Sequence, residues 1–303
     1  MAFTVGVLGT GWVGSSVAMS VLQAGFADTL LLSDARAEVA EGEALDLAQG
    51  AAFYPSASVR AVPALALLEA DAIVLAAGRG GAPGETRLAL LRDNVRIMRD
   101  VASMLRGYHG LVVVVTNPVD VLTRVVQETS ALPAARVIGT GTMLDTARLR
   151  QMIGESLAVN PRSVHAQVVG EHGDSEVVLW STAQVGGVPL RQWPTWDSVR
   201  ETAMADQVRH AAYEIIKRKG ATNHAIGLVT ASLLRGALRG ERRIQTVARV
   251  QDATSGFSGL ALSLPAIMDH GGAVEVIPPE LTADERAALQ RSADVLRAAY
   301  DEV

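Results

Sequence analysis

The first half of the chain alternates short apolar runs with longer amphipathic stretches. Five apolar runs have the length and β-branched content of strands, namely Thr4–Leu8, Thr29–Ser33, Asp71–Ala77, Leu111–Thr116 and Arg136–Gly139. Four stretches between them have helical spacing, namely Val13–Ala24, Ala37–Gln49, Leu88–Arg106 and Val119–Ser130. The run Leu111–Val115 is apolar throughout, which is typical of a strand buried on both faces. Alternating strands and helices predict a doubly wound parallel sheet over residues 1–140.

The second half of the chain has a different pattern. Helices are predicted at Asp145–Leu157, Val199–Lys217 and Asn223–Leu238, and a capping box at Thr282–Glu285 begins a terminal helix. Strands are predicted at Ser163–Val169, Val177–Trp180, Arg243–Val250 and Phe257–Leu264. This mixture predicts an α+β second domain over residues 141–303. Because no linker or low-complexity tract separates the halves, we expect them to share an interface.

Composition narrows the class of function. Apolar residues make up 49% of the 303 positions and charged residues 19%, which is typical of a folded protein with a large core. The net charge of −5, without a basic stripe, argues against nucleic acid as a partner. Apolar runs are too short to cross a membrane, and from the residues before the first strand we expect no signal segment. The chain has no cysteine, which suits a cytoplasmic location and excludes thiolate metal sites, and we expect no metal.

A glycine motif follows the first predicted strand and opens a predicted helix. In this context Gly9 makes a tight turn, Gly11 lets a pyrophosphate approach the backbone, and Gly14 allows the helix to pack on the strand. Asp34 ends the second strand, twenty residues after Gly14. A carboxylate there accepts hydrogen bonds from a ribose and repels a 2′-phosphate. The pattern predicts NAD as the cofactor, with Arg36 leaving some NADP binding open.

A glycine-rich loop, Gly78–Arg87, comes directly after a buried strand. Ligands bind at the carboxyl ends of parallel strands, and glycines suit a loop that closes over a site. Arg87 at the far end of this loop can then polarise a substrate carbonyl. The alternative is an ordinary surface loop with a solvated arginine.

Two further clusters carry titratable side chains. Asp145 and Arg148 are three residues apart and share one face of a predicted helix, either in a site or as a surface ion pair. His172 lies in the segment Gly170–Ser175, directly after a predicted strand. Oxidation of a 2-hydroxy acid requires a base such as imidazole, a carboxylate that orients it, and a planar cation for the substrate carboxylate. These roles fit His172, Asp145 and Arg148, and they predict hydride transfer between a nicotinamide and a small 2-hydroxy acid.

The chain resembles the L-lactate/malate dehydrogenase family, and in particular its lactate branch. The matching stretches occur in the family's order and are Gly9–Gly14, Pro83–Arg87, Thr116–Asp120, Ile138–Arg148, Ser163–His165, Gly170–Ser175 and Lys219–Thr222. The resemblance implies a Rossmann-type NAD-binding domain followed by a substrate domain, in a cytoplasmic homotetramer or a dimer. It also implies His172 as acid and base, Asp145 as its partner, Arg148 on the substrate carboxylate and Arg87 on the carbonyl. The remaining implied contacts, with cofactor or substrate, are Val13, Gly78, Asn117, Thr222 and Ile226.

The chain departs from the family's pattern at Gly81, six residues before Arg87. Lactate enzymes have glutamine at this substrate-binding position, and malate enzymes have arginine. Gly81 offers no cation to a second carboxylate, and it leaves space for bulkier 2-oxo acids. Arg79 could supply the missing cation and restore malate use. Because Gly170–Ser175 resembles the lactate form, we expect lactate, with malate and bulkier 2-hydroxy acids as alternatives.

A regulatory site is a further expectation from the resemblance. Many bacterial lactate dehydrogenases bind fructose 1,6-bisphosphate at a two-fold subunit interface through an arginine and a histidine. Arg150 and His165 lie at the corresponding positions, and Arg150 leaves the helix face that carries Arg148. The alternative is a surface arginine and an ordinary strand histidine.

Overall fold

A large central sheet connects the two halves of the chain. The computed structural model describes residues 2–80 and 87–303, with the backbone alone at Arg87. Within these residues the sheet has nine strands, numbered in chain order. In spatial order they are β14 (Gly272–Val276), β13 (Ala261–Asp269), β12 (Arg243–Val250), β6 (Val137–Gly139), β5 (Leu111–Val114), β4 (Ala72–Leu75), β1 (Thr4–Leu8), β2 (Thr29–Ser33) and β3 (Ser58–Ala61). The strands from β6 to β3 are parallel, whereas β12, β13 and β14 add antiparallel pairs at one edge.

Helices cover both faces of this sheet, as a doubly wound fold requires. The helices are α1 (Trp12–Ala24), α2 (Ala37–Gln49), α3 (Arg87–Met104), α4 (Val119–Ser130), α5 (Met143–Leu157), α6 (Val199–Lys219), α7 (His224–Leu238) and α8 (Ala283–Asp301). Alternate residues of β5 enter opposite layers of the core: Val113 packs with α1, α2 and α7, and Val112 packs with α3 and α4. Burial on both faces explains the continuous apolar run. The predicted doubly wound parallel sheet with a mixed second domain is confirmed.

The second half differs in detail from the sequence prediction. The predicted strand Ser163–Val169 forms two short strands in separate sheets. These are β7 (Val164–His165), which pairs with β10 (Gln184–Val185), and β8 (Val168–Val169), which pairs with β9 (Val177–Val178). A further short strand, β11 (Val188–Pro189), pairs with β10.

One further strand prediction needs correction, and two strands of the large sheet lack a prediction. Phe257–Leu264 was placed too early, because the amide of Leu260 bonds to the carbonyl of Phe257 in a turn, and β13 begins only at Ala261. The edge strands β3 and β14 were not predicted, because both are short, half-exposed and interrupted by polar residues or glycine.

The capping box at Thr282 and Glu285 is confirmed. No helix in the described part of the chain is long and apolar enough to cross a bilayer.

The topology creates a crevice beside the glycine motif. Chain order reverses where β1 lies next to both β2 and β4, so the loops after these strands diverge to opposite sides. Such a reversal at the carboxyl ends of parallel strands is where ligands bind in open α/β sheets.

Candidate active site

The glycine motif has the geometry of a phosphate-binding turn. Gly9 has a φ of +94°, and a methyl group on it would lie 2.5 Å from the backbone nitrogen of Ala77. A methyl group on Gly14 would overlap the carbonyl oxygen of Gly9. Gly11, in contrast, faces open space, with nothing within 4 Å of a methyl group. Gly9 and Gly14 are therefore needed by the turn itself, whereas Gly11 leaves the amino end of α1 accessible to a pyrophosphate.

Asp34 is anchored at the carboxyl end of β2, beside this turn. Its Oδ2 accepts hydrogen bonds from the Thr10 amide at 2.8 Å and the Thr10 hydroxyl at 3.3 Å, and its Oδ1 accepts one from the Arg36 amide at 3.1 Å. A carboxylate accepts about four hydrogen bonds, so capacity remains for a ribose hydroxyl. A largely apolar cavity of about 520 Å³ adjoins it, lined among others by Val62 and Met104. An anchored carboxylate beside an apolar slot fits the adenosine of NAD.

Asp145 bridges His172 and Arg148. It lies in the first turn of α5, with its Oδ2 2.5 Å from Nδ1 of His172 and its Oδ1 2.8 Å from Nη1 of Arg148. Its side chain is 3% exposed, compared with 24% for His172 and 13% for Arg148. The helical spacing thus brings Asp145 and Arg148 together in a largely buried cluster rather than in a surface ion pair.

The loop that carries His172 is tied to three other elements. Gly170, with a φ of +90°, pairs through its backbone with Ser263 of β13, and the amide of Glu171 donates a hydrogen bond to Oγ of Ser292 in α8 at 2.8 Å. The amide of His172 donates a hydrogen bond to Oδ2 of Asp120 in α4 at 2.7 Å. These contacts fix the backbone from which the imidazole reaches Asp145.

The charges around His172 favour its protonated form. Burial lowers the pKa of His172, but the charge of Asp145 and the hydrogen bond to it outweigh this effect, and the pKa rises to about 9. Burial raises the pKa of Asp145, but His172 and Arg148 outweigh this in turn and lower it. At neutral pH the pair is therefore an imidazolium and a carboxylate. Because Nδ1 faces Asp145, proton exchange with a substrate has to use Nε2.

Sequence reasoning missed two buried carboxyl groups beside His172. Burial raises the pKa of Asp120 to about 7, and burial together with the charge of Asp145 raises the pKa of Glu176 to about 8. Asp120 belongs to the recognised stretch Thr116–Asp120, and Glu176 directly follows Gly170–Ser175. Nothing in the residue pattern marks them as buried, because their burial depends on contacts between distant segments.

Asn117 lies at the carboxyl end of β5. Its carbonyl oxygen accepts a hydrogen bond from Nδ2 of Asn94 at 3.1 Å, and its Oδ1 accepts one from the Val119 amide at 3.2 Å. This arrangement fixes the side-chain oxygen, so the amide nitrogen is the group that can donate to a ligand in the crevice.

The start of α7 lies against α1, close to the glycine motif. A methyl group on Gly227 would lie 2.5 Å from the carbonyl oxygen of Ser16, so this glycine allows the two helices to touch. Ile226 and Val13 pack against the same apolar cluster, and both are partly buried, as is Thr222 just before α7. The close helix contact brings Thr222 and Ile226 to the side of the sheet that carries the predicted cofactor turn.

The glycine-rich loop is described only at its two ends. Gly78 has a φ of +159°, and a methyl group on it would lie 2.5 Å from Cγ2 of Thr116. Arg79 forms an ion pair with Asp93, with Nη2 2.6 Å from Oδ2. Gly81 lies outside the described residues, as does the side chain of Arg87, the first residue of α3.

Arg150 points away from Arg148, as its helical position predicts. Its Nε donates a hydrogen bond to the carbonyl oxygen of Ala166 at 2.9 Å, and burial lowers its pKa. His165 is the neighbour of Ala166 on β7 and is exposed. Arg150 and His165 therefore reach the same region of the second domain.

Comparisons with known proteins agree over nearly the whole chain. Residues 3–139 match the lactate/malate dehydrogenase NAD binding domain, and residues 142–303 match the lactate/malate dehydrogenase alpha/beta C-terminal domain. The chain is 42% identical to L-lactate dehydrogenase of Salinibacter ruber, over 97% of the chain and 95% of that protein. It is 40% identical to L-lactate dehydrogenase of Priestia megaterium, over 98% and 95%. The crystal structure of a minor L-lactate dehydrogenase from Enterococcus mundtii superimposes with a TM-score of 0.97 at 39% identity, over 100% of the chain and 98% of that structure. The chain therefore belongs to the lactate/malate dehydrogenase family of NAD-dependent oxidoreductases.

Proposed function

We propose that this chain is an L-lactate dehydrogenase, which interconverts pyruvate and L-lactate with NADH and NAD. The observation that carries the proposal is the buried carboxylate of Asp145, which contacts both His172 and Arg148. This arrangement combines a proton donor, His172, with a cation for an anionic substrate, Arg148. The reduction of a 2-oxo acid requires both. The proposal is supported by the names of the relatives, which are L-lactate dehydrogenases.

Arg148 is the residue that we assign to the substrate carboxylate. Its Nη1 is used by Asp145, and a guanidinium has further N–H donors in a planar arrangement. These can bind a carboxylate with two parallel hydrogen bonds, and partial burial strengthens them. Asp145 thus fixes the orientation of the guanidinium as well as that of the imidazole. Because the chain resembles the family, we assign Arg87 to the substrate carbonyl, together with Asn117.

His172 is assigned to the proton transfer. Bound NADH supplies the hydride for the carbonyl carbon. Nε2 of His172 donates its proton to the carbonyl oxygen, and Asp145 holds the ring in position while the charge changes. In the oxidation of lactate, neutral His172 accepts the hydroxyl proton, and Asp145 stabilises the imidazolium that forms. The cofactor contacts are assigned to Gly9, Gly11, Val13, Gly14, Asp34, Gly78 and Ile226, and Thr222 is assigned to the substrate pocket, with Gly81.

A panel of 2-oxo acids tests the substrate. Initial rates with NADH are measured for pyruvate, oxaloacetate, 2-oxoisocaproate and phenylpyruvate, and the highest kcat/KM is expected for pyruvate. Because the relatives are named L-lactate dehydrogenases, the comparison does not favour malate or the bulkier acids as substrates of this chain. The variant His172→Asn should bind NADH normally and lose about 10²–10⁴-fold in kcat, because the proton donor is absent. A clear preference for oxaloacetate, or full activity of His172→Asn, would contradict the proposal.

The assembly, effector and location of the enzyme extend this proposal. We propose a cytoplasmic homotetramer, with domains at residues 1–140 and 141–303. Exposed apolar side chains on the adjoining helices α1 and α7, such as Trp12, Met19 and Leu228, favour burial against another copy. The absence of cysteine suits the cytoplasm. Light scattering coupled to size exclusion measures the assembly, and a monomer at working concentration would contradict it.

Fructose 1,6-bisphosphate is the proposed effector, bound by Arg150 and His165. Around a two-fold axis, two copies of each residue would present four cationic or hydrogen-bonding groups to two phosphates. Binding that favours the active assembly should lower the apparent KM for pyruvate. The effect should disappear in Arg150→Gln. If fructose 1,6-bisphosphate left the KM for pyruvate of the unaltered enzyme unchanged, the proposed effector site would be wrong.

A further inference from the structure

The two members of the proton-transfer pair come from separate segments of the chain. Asp145 lies in the first turn of α5, whereas His172 lies in the loop after β8. Their contact, Oδ2 to Nδ1 at 2.5 Å, therefore depends on how accurately the start of α5 is placed against that loop. A hydrogen bond is lost when it stretches by about 1 Å. Residues that hold these two segments together thus act on the proton transfer.

Ser263 of β13 contacts both segments. Its amide and carbonyl each form a hydrogen bond of 2.9 Å with the backbone of Gly170, two residues before His172. Its Oγ accepts a hydrogen bond from the amide of Thr142 at 3.0 Å. Thr142 directly precedes α5 and lies three residues before Asp145. One residue of β13 therefore joins the start of the helix that carries Asp145 to the loop that carries His172.

This junction is buried and closely packed. The side chains of Ser263 and Thr142 are both 0% exposed. Gly141 has a φ of +47°, and a methyl group on it would overlap Oγ of Ser263. The hydroxyl of Thr142 donates a hydrogen bond to the carbonyl oxygen of Val168 in β8 at 2.6 Å. The start of α5 is thus held to β13 and β8 together, and water has no access to replace the serine oxygen.

We propose that Ser263 is a positioning residue for the proton transfer, which holds the start of α5 against the His172 loop and so keeps Asp145 on the imidazole. The inference rests on the proposed function, because it concerns the proton donor of that reaction. Ser263 acts through Thr142 and Gly170, so its replacement should slow the reaction and leave cofactor binding intact.

The size of the effect follows from what the substitution removes. Ser263→Ala deletes the acceptor of the Thr142 amide and keeps the backbone pairing with Gly170. The amide then either stays unpaired in the core or moves towards another acceptor, and the start of α5 moves with it. A misplacement of about 1 Å can cost about 100-fold in rate, and partial relaxation costs less. We expect kcat for pyruvate reduction to fall about 5- to 50-fold and the Kd for NADH to stay within about two-fold.

The pH profile separates positioning from a general loss of stability. Three carboxyl groups act on the imidazole, namely Asp120 on α4, Asp145 on α5 and Glu176 after the loop. Burial lowers the pKa of His172, but these groups, with Asp145 contributing most, raise it to about 9. A looser contact with Asp145 should therefore move the falling limb of kcat/KM for pyruvate below about 9 in Ser263→Ala. Reduced stability alone would lower the melting temperature without moving the limb.

Tyr108→Phe is the matched control. It removes a buried hydroxyl that donates to the carbonyl oxygen of Ala70 at 2.7 Å, before β4 and β5 begin and so at the opposite end of these strands from the site. It should lower the melting temperature and keep both kcat and the pH profile. Ser263→Cys keeps a side-chain atom at the position but offers only a weak acceptor, so its effect should be intermediate.

The remaining outcomes contradict the proposal in different ways. An unchanged kcat or an unmoved limb in Ser263→Ala overturns the positioning role. An equal shift in Tyr108→Phe, or a change confined to the Kd for NADH, also overturns it. If Ser263→Ala does not fold, an unaltered profile in Ser263→Cys has the same meaning. Failure of the unaltered enzyme to reduce pyruvate at all would instead refute the proposed function.

Discussion

Replacement of Asp145 by asparagine should move the pH dependence of the enzyme, because Asp145 holds the proton on His172. The structure raises the pKa of His172 to about 9, even though burial alone would lower it below its ordinary value of 6.5. Pyruvate reduction needs protonated His172, so its kcat/KM should be level at neutral pH and fall as pH rises through about 9. Lactate oxidation needs the neutral ring and should rise over the same range.

The size of the effect follows from the pKa shift. In Asp145→Asn the charge and the carboxylate hydrogen bond are lost, so the falling limb should move to about 6.5 or lower. At about pH 7.5 the protonated fraction of His172 would then drop about ten-fold. Loss of the correct tautomer and ring orientation adds to this, for a total of up to about 10⁴-fold in kcat/KM.

The assay is a series of initial rates across pH at constant ionic strength, with pyruvate and NADH. Glu155→Gln is the matched control, because it neutralises an exposed carboxylate of the same helix. It should keep the falling limb near pH 9. If Asp145→Asn also kept its limb near pH 9, or if its activity at neutral pH were unchanged, the electrostatic argument for this site would be refuted.

Four more substitutions test the glycine turn and the cofactor and substrate contacts. Gly14→Ala should destabilise the fold by about 3 kcal/mol through overlap with Gly9, whereas Gly11→Ala should keep its melting temperature and weaken NADH binding in a fluorescence titration. Asp34→Ser should lower the preference for NADH over NADPH at least about ten-fold in kcat/KM, because a charge that repels the 2′-phosphate is removed. Arg148→Lys should raise the KM for pyruvate about 10- to 100-fold, because an ammonium cannot bind a carboxylate through two parallel bonds. An unaffected Gly11→Ala titration, NADPH ratio or pyruvate KM would contradict the corresponding assignment.

Sequence patterns predicted the parallel half of the fold well, because burial on both faces leaves a strong signal. The strand Leu111–Val114 was evident from its apolar run, and the helix Val119–Ser130 was predicted with its observed bounds. The edge strand Ser58–Ala61 left no such signal, because it alternates between exposed and half-buried positions around Arg60. The boundary of β13 was misplaced because two apolar residues of a turn, Phe257 and Leu260, resemble the start of a strand.

Local geometry also explains which parts of the site could be predicted. Asp145 and Arg148 are one helical turn apart, so a period of 3.6 residues was enough to place them together. The contact between His172 and Asp120 joins residues 52 positions apart, and its existence depends on how α4 meets the loop after β8. The pair of Arg79 with Asp93 depends on the path of the loop after β4. Such contacts between distant segments follow from tertiary packing, which no local pattern encodes.

The two buried carboxyl groups beside His172 help to explain how the site accepts an anion. If Asp120, Asp145 and Glu176 were all ionised, their three negative charges would offset the positive charges of His172, Arg148 and Arg209 and leave none for a substrate anion. Burial raises the pKa of Asp120 to about 7 and that of Glu176 to about 8, so both are largely or partly protonated at neutral pH. Asp145 is then the one fully ionised carboxyl group of the three, and positive charge, including that of Arg148, remains for the substrate carboxylate. As pH rises above about 8, ionised Glu176 opposes the substrate. Above about 9, His172 also loses its charge, so the attraction of the site for a 2-oxo acid anion becomes weaker and its proton donor is lost.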